Sequence, residues 1–342
     1  MTGATGFIGS HLVDRLLERG DDVTAFVRPT SDSSHLAAKG VRLITGDVRN
    51  RREAGNAVDG SEIVYHLARA KGHGARPMSE VQAVNIGGTS NIARAATSAA
   101  VGRVVYASSA AVYGSRPAAN PVAENRILNP ESAYGRSKAD AEAALAEHAR
   151  VPFVIARITE VLGPGCRSWL PLLRSVAAGR LRLIGQGKGR HHPADVSDIV
   201  DGLILCGTMP VTPGRAYNLA GPAAINIADM VRAIAAALRA GPDLPRFVPA
   251  LPVELYLWLN RIAGRVAGVK LPRVESIVFL TGDRVLDISR ARTELGYAPR
   301  FTVSHAISRT VEWGTSEGLL SASQQRQNRV QNRGHSGVDS NE

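Results

Sequence analysis

The sequence predicts an α/β fold built on a parallel sheet with helices on both faces. Three observations predict it. A glycine-rich turn opens the chain, short apolar strands alternate with helical stretches, and the chemically interesting residues fall just after the strands. Strands that are apolar throughout are buried on both faces, which is the habit of parallel sheets. Ligands of such sheets sit beyond the carboxyl ends of the strands.

The opening turn is Met1-Thr-Gly-Ala-Thr-Gly-Phe-Ile-Gly-Ser10, which places Gly3, Gly6 and Gly9 in a G-x-x-G-x-x-G pattern. One glycine permits a tight turn, one lets backbone approach a pyrophosphate, and one lets the next helix pack closely on the sheet. That helix carries Leu12, Leu16 and Leu17 at helical spacing and ends at Gly20. Its N-terminus offers N–H groups and a positive dipole end to a phosphate. Such a turn normally follows an apolar strand ending in Val-Thr-Gly, and here Met1 stands where the valine is expected. The expectation is a misassigned start, a valine codon read as an initiator, or else a central strand left short.

Residues 23–27 form the next strand, and Arg28-Pro29 ends it. An acid at this strand end would bind the ribose hydroxyl of NAD, whereas an arginine accommodates the 2′-phosphate of NADP. There is no acid here, so Arg28 favours NADP over NAD. Residues 41–44 form a strand followed by Thr45-Gly-Asp47-Val48, and residues 63–67 another, running through Leu67 to Ala68. A long helical stretch over 77–100 carries Asn85, and a strand over 103–107 ends in Ser108-Ser109.

Tyr134-Gly-Arg-Ser-Lys138 opens the helix that follows. Positions i and i+4 share a helix face, so Tyr134 and Lys138 point to one site. A free phenol is a poor base near neutrality, and a neighbouring ammonium stabilises its phenolate. A hydroxyl from Ser109 would hold a substrate oxygen beside it.

In this order the motifs resemble the extended short-chain dehydrogenase/reductases, the NAD-dependent epimerase/dehydratase family. The likeness is carried by TGATGFIG (2–9), GDVRN (46–50), VYHLA (64–68), NIGGT (85–89), SSAAVYG (108–114), YGRSK (134–138), GPG (163–165), VSDIVDGL (196–203), YNLAG (217–221) and DISRARTELGYAP (287–299). The resemblance implies an enzyme with a Rossmann-type doubly wound parallel sheet and a small C-terminal substrate lobe. The expected division is a core over 1–160, to which later segments return, a lobe over 161–315, and a disordered polar tail over 316–342. The resemblance also implies roles. Gly3, Thr5, Gly6, Phe7, Ile8, Gly9, Arg28, Asp47, Val48, Leu67 and Ala68 would hold the cofactor with Tyr134 and Lys138, and Asp47 and Val48 would lie by the adenine. Tyr134 would be the acid/base, Lys138 would serve the nicotinamide ribose and the tyrosine, Ser109 would hold the substrate oxygen, and Asn85 would support Lys138 through water. A homodimer through helices around the Tyr-x-x-x-Lys segment is compatible with the family.

Two places depart from the nucleotide-sugar branch. Its members read Arg-x-x-Asn before Gly-Pro, and this chain reads Arg157-Ile-Thr-Glu160. A carboxylate facing a diphosphate in a dry pocket is repelled. The second place is Arg190-His191-His192, where the usual nucleotide-binding arginine aligns with His191. Glu160, Arg190 and His192 are the expected substrate-side residues, with Arg157 and Arg190 the expected partners of Glu160. Arg28 and Glu160 look more like the dihydroflavonol-reductase and 3β-hydroxysteroid-dehydrogenase branches, which handle uncharged substrates. The expected reaction is hydride transfer between NADP or NAD and a secondary alcohol or ketone. The alternatives are a nucleotide-sugar epimerase or dehydratase with retained NAD, or a non-catalytic NAD(P) sensor.

Composition agrees with a soluble globular protein. The 342 residues are 44% hydrophobic, and the mean hydropathy is -0.06. No run is long and apolar enough for a transmembrane span. Cys166 and Cys206 form no disulfide framework, which places the expected setting in the cytoplasm. The net charge of +11 comes from dispersed arginines without a basic run, against a nucleic-acid partner. His191 and His192 have no evident third metal ligand, so no metal is expected. Residues 251–280 are apolar with interspersed charges, consistent with a packed amphipathic helix, a lid over an apolar substrate, or contact with a membrane surface.

Overall fold

The computed structural model describes residues 1–70, 77–115, 117–240, 247–249, 252, 255, 256, 258, 259 and 281–320. The chain divides into two units. The first comprises Met1–Val161, Arg190–Ala224 and Gly282–Thr302, and the second Leu162–Gly189, Ile225–Thr281 and Val303–Glu342.

The first unit is organised on a parallel sheet. Phe153–Ile158 pairs with Arg103–Ser109 on one side and Arg215–Leu219 on the other, and Arg103–Ser109 pairs in turn with Ile63–His66. Thr24–Val27 pairs with Arg42–Thr45. Thr2 lies between these two ladders and bridges Phe26 and His66 in parallel. Its N–H donates to the Tyr65 carbonyl at 3.0 Å, and its own carbonyl accepts from Leu67 N at 3.1 Å. The Met1 carbonyl accepts from Phe26 N at 2.8 Å. Met1 and Thr2 thus hold the central position, and chain order runs outward from them in both directions. That is the switch point at which open α/β sheets bind ligands.

The strands alternate their side chains between two cores, as period-two geometry requires. From Arg103–Ser109, Val105 and Ala107 enter the core beneath Phe7–Glu18 and Val196–Thr208, with Leu12, Leu16, Ile199 and Leu203. Val104 and Tyr106 enter the opposite core, beneath Gly88–Ser98 and Ala133–His148, with Ile92 and Leu145. Each such large apolar side chain contributes about 1.5–3 kcal/mol on full burial. The expected helix over 77–100 forms as Met78–Gln82 and Gly88–Ser98 joined by a π-helical turn, Ala83–Gly87, centred on Asn85.

The second unit is mainly helical. Leu170–Ala177 and Val303–Ser316 both pack on Ile227–Ala237, and Leu183–Ile184 pairs in parallel with Phe247–Val248. The expected tail from 316 starts too early. The Leu319 and Leu320 N–H groups both donate to the Gly314 carbonyl, at 2.8 and 2.9 Å, and Leu320 is buried. The apolar side chain and the unpaired carbonyl at the helix end explain that closure. Residues 321–342, and 260–280 of the stretch expected to touch a membrane, lie outside the described residues; Leu255, Trp258 and Leu259 are helical and exposed. No helix among the described residues is long and apolar enough to cross a membrane.

Candidate active site

The glycine turn fits a dinucleotide phosphate. Gly3 has φ of +73°, and a Cβ on Gly9 would lie 2.0 Å from the Gly3 carbonyl oxygen. Neither position tolerates a side chain. Gly6 is the N-cap of Phe7–Glu18 and brings no side chain to it, and the first turn holds no acid. The N–H groups around Phe7, Ile8 and Gly9 are those a helix start offers to an anion. Thr5 is half-buried in the same turn. Leu67 and Ala68 close the loop from below, because a Cβ on Gly3 would touch both.

Arg28 is exposed just beyond Thr24–Val27, and its charge reaches Asp47. The Asp47 carboxylate accepts from the Arg49 guanidinium at 3.0 and 2.7 Å, which together with Arg28 holds it below the usual carboxylate range. Val48 is buried, and its carbonyl accepts from Asn91 at 2.9 Å. An open groove lined by Asp47, Arg49, Asn50, Arg51 and Glu53 runs alongside.

Ser109 ends its strand and accepts from Ala111 N at 3.2 Å, starting the turn Ala110–Tyr113. The tyrosine helix sits directly on that turn: a Cβ on Gly135 would be 2.6 Å from the Ala111 carbonyl oxygen. Ser132 caps the helix by accepting from Gly135 N at 2.9 Å. This contact brings Tyr134 to the strand end that carries Ser109. Tyr134 is half-buried, with the Arg69 guanidinium 5.7 Å from its ring centre. Lys138 is 1% exposed. Its ammonium donates to the Ala107 carbonyl at 2.7 Å and the Tyr106 hydroxyl at 3.1 Å. Burial, reinforced by the charge of Arg69 and opposed by that of Glu142, lowers its pKa to about 7.

Asn85 makes direct protein contacts where a water link to Lys138 is expected. Its amide exchanges hydrogen bonds with Ala70 N and O, at 2.7 and 3.1 Å, and donates to Ser137 Oγ at 2.9 Å. It therefore ties the end of one strand to the residue beside Lys138.

The Glu160 surroundings correct the expected pairing. Arg157 is buried and forks onto Glu142, at 3.1 and 2.7 Å, and Arg190 pairs with Asp283 at 3.0 Å. Glu160 instead meets Arg284 at 2.7 Å and His191 Nδ1 at 3.7 Å, and accepts from Thr159 Oγ1 at 2.8 Å. Burial would raise its pKa, but Arg284, His191 and Thr159 together hold it far below the carboxylate range. Arg284 also donates to the Gly114 carbonyl at 2.7 Å, joining this pair to the turn that follows Ser109. His192 is held by backbone. Its Nε2 donates to the Gly221 carbonyl at 2.9 Å and its Nδ1 accepts from Leu286 N at 3.2 Å, so backbone engages both ring nitrogens. No cluster of metal ligands occurs among the described residues.

Sequence reasoning missed Arg69, Tyr106 and Arg284. The first was signalled by a charge directly after the strand-end Ala68. Arg284 carried no signal, since its partner lies 124 positions away.

A family model, the NAD-dependent epimerase/dehydratase family, matches residues 1–220. The chain belongs to that family. It is 28% identical over 325 residues to UDP-glucose 4-epimerase of Vibrio cholerae, covering 91% of this chain and 94% of that protein. It is 28% identical over 337 residues to 3 beta-hydroxysteroid dehydrogenase/Delta 5→4-isomerase of Mycobacterium tuberculosis, covering 92% and 90%. The solved structure of MoeE5 in complex with UDP-glucose and NAD superposes with a TM-score of 0.70 at 26% identity, covering 93% of this chain and 98% of that one. The family is NAD-dependent, its relatives are epimerases, dehydrogenases and reductases, and this chain is an enzyme of that kind.

Proposed function

We propose that the enzyme exchanges a hydride between a bound nicotinamide and an uncharged secondary alcohol or ketone. The observation that carries this reading is Lys138: a buried ammonium one helical turn from Tyr134, held by neutral acceptors and poised near pH 7. The glycine turn, Asp47, Val48, Leu67, Ala68 and Lys138 would hold the dinucleotide, which supplies the two-electron acceptor or donor. In the oxidative direction Ser109 holds the substrate hydroxyl and Tyr134 takes its proton. A bound nicotinamide would take up the hydride that the carbinol carbon gives up. Lys138, one helical turn along, supplies a positive charge on that face of the helix.

Glu160 supports the uncharged substrate. Its charge is balanced by Arg284, which leaves little positive field for a diphosphate. Arg28 supports NADP over NAD. The nucleotide-sugar alternative rests on the Vibrio and MoeE5 likenesses, the steroid-like one on the mycobacterial relative.

The test is native mass spectrometry of the purified protein followed by calorimetric titration. An empty protein that binds NADPH more tightly than NADH, a preference lost at least tenfold in Arg28→Ala, is the expected result. UDP and dTDP should not bind at micromolar level, and Glu160→Asn should not improve on that. Retained NAD together with micromolar UDP binding, worth about -8 kcal/mol, overturns the reading in favour of an epimerase.

A further inference from the structure

The floor beneath Lys138 is built from buried polar groups whose protons can be placed in a single order. Thr89 Oγ1 donates to the Asn85 carbonyl at 2.6 Å, so it must accept from His66 Nε2, 3.0 Å away. His66 is fully buried and neutral: burial, with the Lys138 charge and the chain's amino group, lowers its pKa to about 3. Its Nδ1 is then an acceptor for Thr2 Oγ1 at 2.7 Å, and Thr2 Oγ1 accepts from Ala68 N at 3.1 Å. Tyr106 stacks on the imidazole, with ring centres 5.6 Å apart. The phenol oxygen accepts from Lys138 Nζ at 3.1 Å, and the ammonium also lies 4.6 Å from the ring centre. Burial holds the Tyr106 phenol far above its usual range, so it stays neutral.

We infer that Tyr106 is a positioning residue for Lys138: its hydroxyl, on a ring backed by the stacked His66, accepts from the ammonium, fixes it and keeps it protonated inside the sheet. The inference rests on the proposed role of Lys138, but not on the substrate. Among the described residues Lys138 has no carboxylate of its own to do this. Glu142, one turn along the same helix, is forked by Arg157 and also bonded by Ser108. Among the described residues the other charged or titratable groups that act on the ammonium are Arg69, which opposes its charge, and the neutral His66. The remaining stabilisers are neutral dipoles, the Ala107 carbonyl and the Tyr106 hydroxyl. A hydrogen bond to a charged donor is worth more than a neutral one, and losing it in a dry site shows directly as lost protonation.

The test is an NMR titration of lysine side chains in the full-length protein carrying isotope-labelled lysine. The Lys138 signal is assigned by its absence in Lys138→Met. In Tyr106→Phe, which keeps the ring and its stacking, the Lys138 midpoint should fall by about one pH unit, a tenfold loss of protonation, while other lysines stay in place. An unchanged midpoint in a folded Tyr106→Phe overturns the inference. Should that variant not fold, 3-fluorotyrosine is incorporated into a Tyr134→Phe background, weakening the phenol as an acceptor. A smaller fall is expected there, and no fall overturns the inference. The readout needs neither substrate nor turnover. Failure of the hydride-transfer reading would therefore appear in the cofactor titrations with the Lys138 shift intact, and failure here would leave those titrations unchanged.

Discussion

Two buried cations, Lys138 and Arg157, share the neighbourhood of Glu142, and they are treated in opposite ways. Arg157 takes the carboxylate in a two-pronged pair and adds the Tyr113 hydroxyl at 2.8 Å and the Glu124 carbonyl at 2.9 Å. Burial alone would lower its pKa, but Glu142 and Tyr113 drive it above the ordinary arginine range. Lys138 is left with neutral acceptors, and its pKa falls to about 7. The difference separates two uses of a buried charge. A cation with its own carboxylate is a fixed structural element. A cation without one can titrate near neutrality, which is what proton transfer requires.

The comparison can be broken most forcefully at Arg157. Arg157→Met leaves Glu142 buried without its counter-ion, so stability should fall by about 3–5 kcal/mol in urea denaturation. A variant as stable as the wild type would show that the pair is not structural.

Lys138 should behave in the contrary sense. Its folded pKa, about 7, lies below the ordinary lysine value of 10.5. Between those limits the unfolded chain binds the extra proton, so stability contributed through this group rises as pH increases from about 7 toward 10.5. Below about 7 both states are protonated and the folded state bears the full burial penalty. Lys138→Met should accordingly be more stable than the wild type at pH 6, with the gap shrinking as pH rises, while hydride transfer falls by at least about 100-fold. Parallel stability profiles for the two proteins would remove the contrast.

The smallest effect is expected at Tyr113. Its hydroxyl accepts from Arg157 and donates to Asn218 Oδ1 at 2.9 Å. Tyr113→Phe should cost about 1 kcal/mol and leave the pH dependence of stability unaltered, because Glu142 still fixes the charge on Arg157. A changed profile would mean that neutral hydroxyls control both cations, and the distinction would narrow to one of degree.

Much of this was legible in the chain itself. The glycine spacing, the strand rhythm and the four-residue step from Tyr134 to Lys138 are local patterns, set by turn sterics and by helix and strand periods. They place the dinucleotide turn, the sheet class and the candidate acid/base pair. What the order of residues could not supply is which charge meets which. Arg157, Arg190 and Arg284 read alike in the sequence. Only folding brings Glu142 to the first, Asp283 to the second and Glu160 to the third, across separations of 15, 93 and 124 positions. The same holds for Tyr106, which reads as one more apolar residue of a buried strand until the sheet sets its hydroxyl against Lys138. Pairing energies fall off within a few ångströms and are decided by burial, and both are properties of the packed sheet rather than of the sequence.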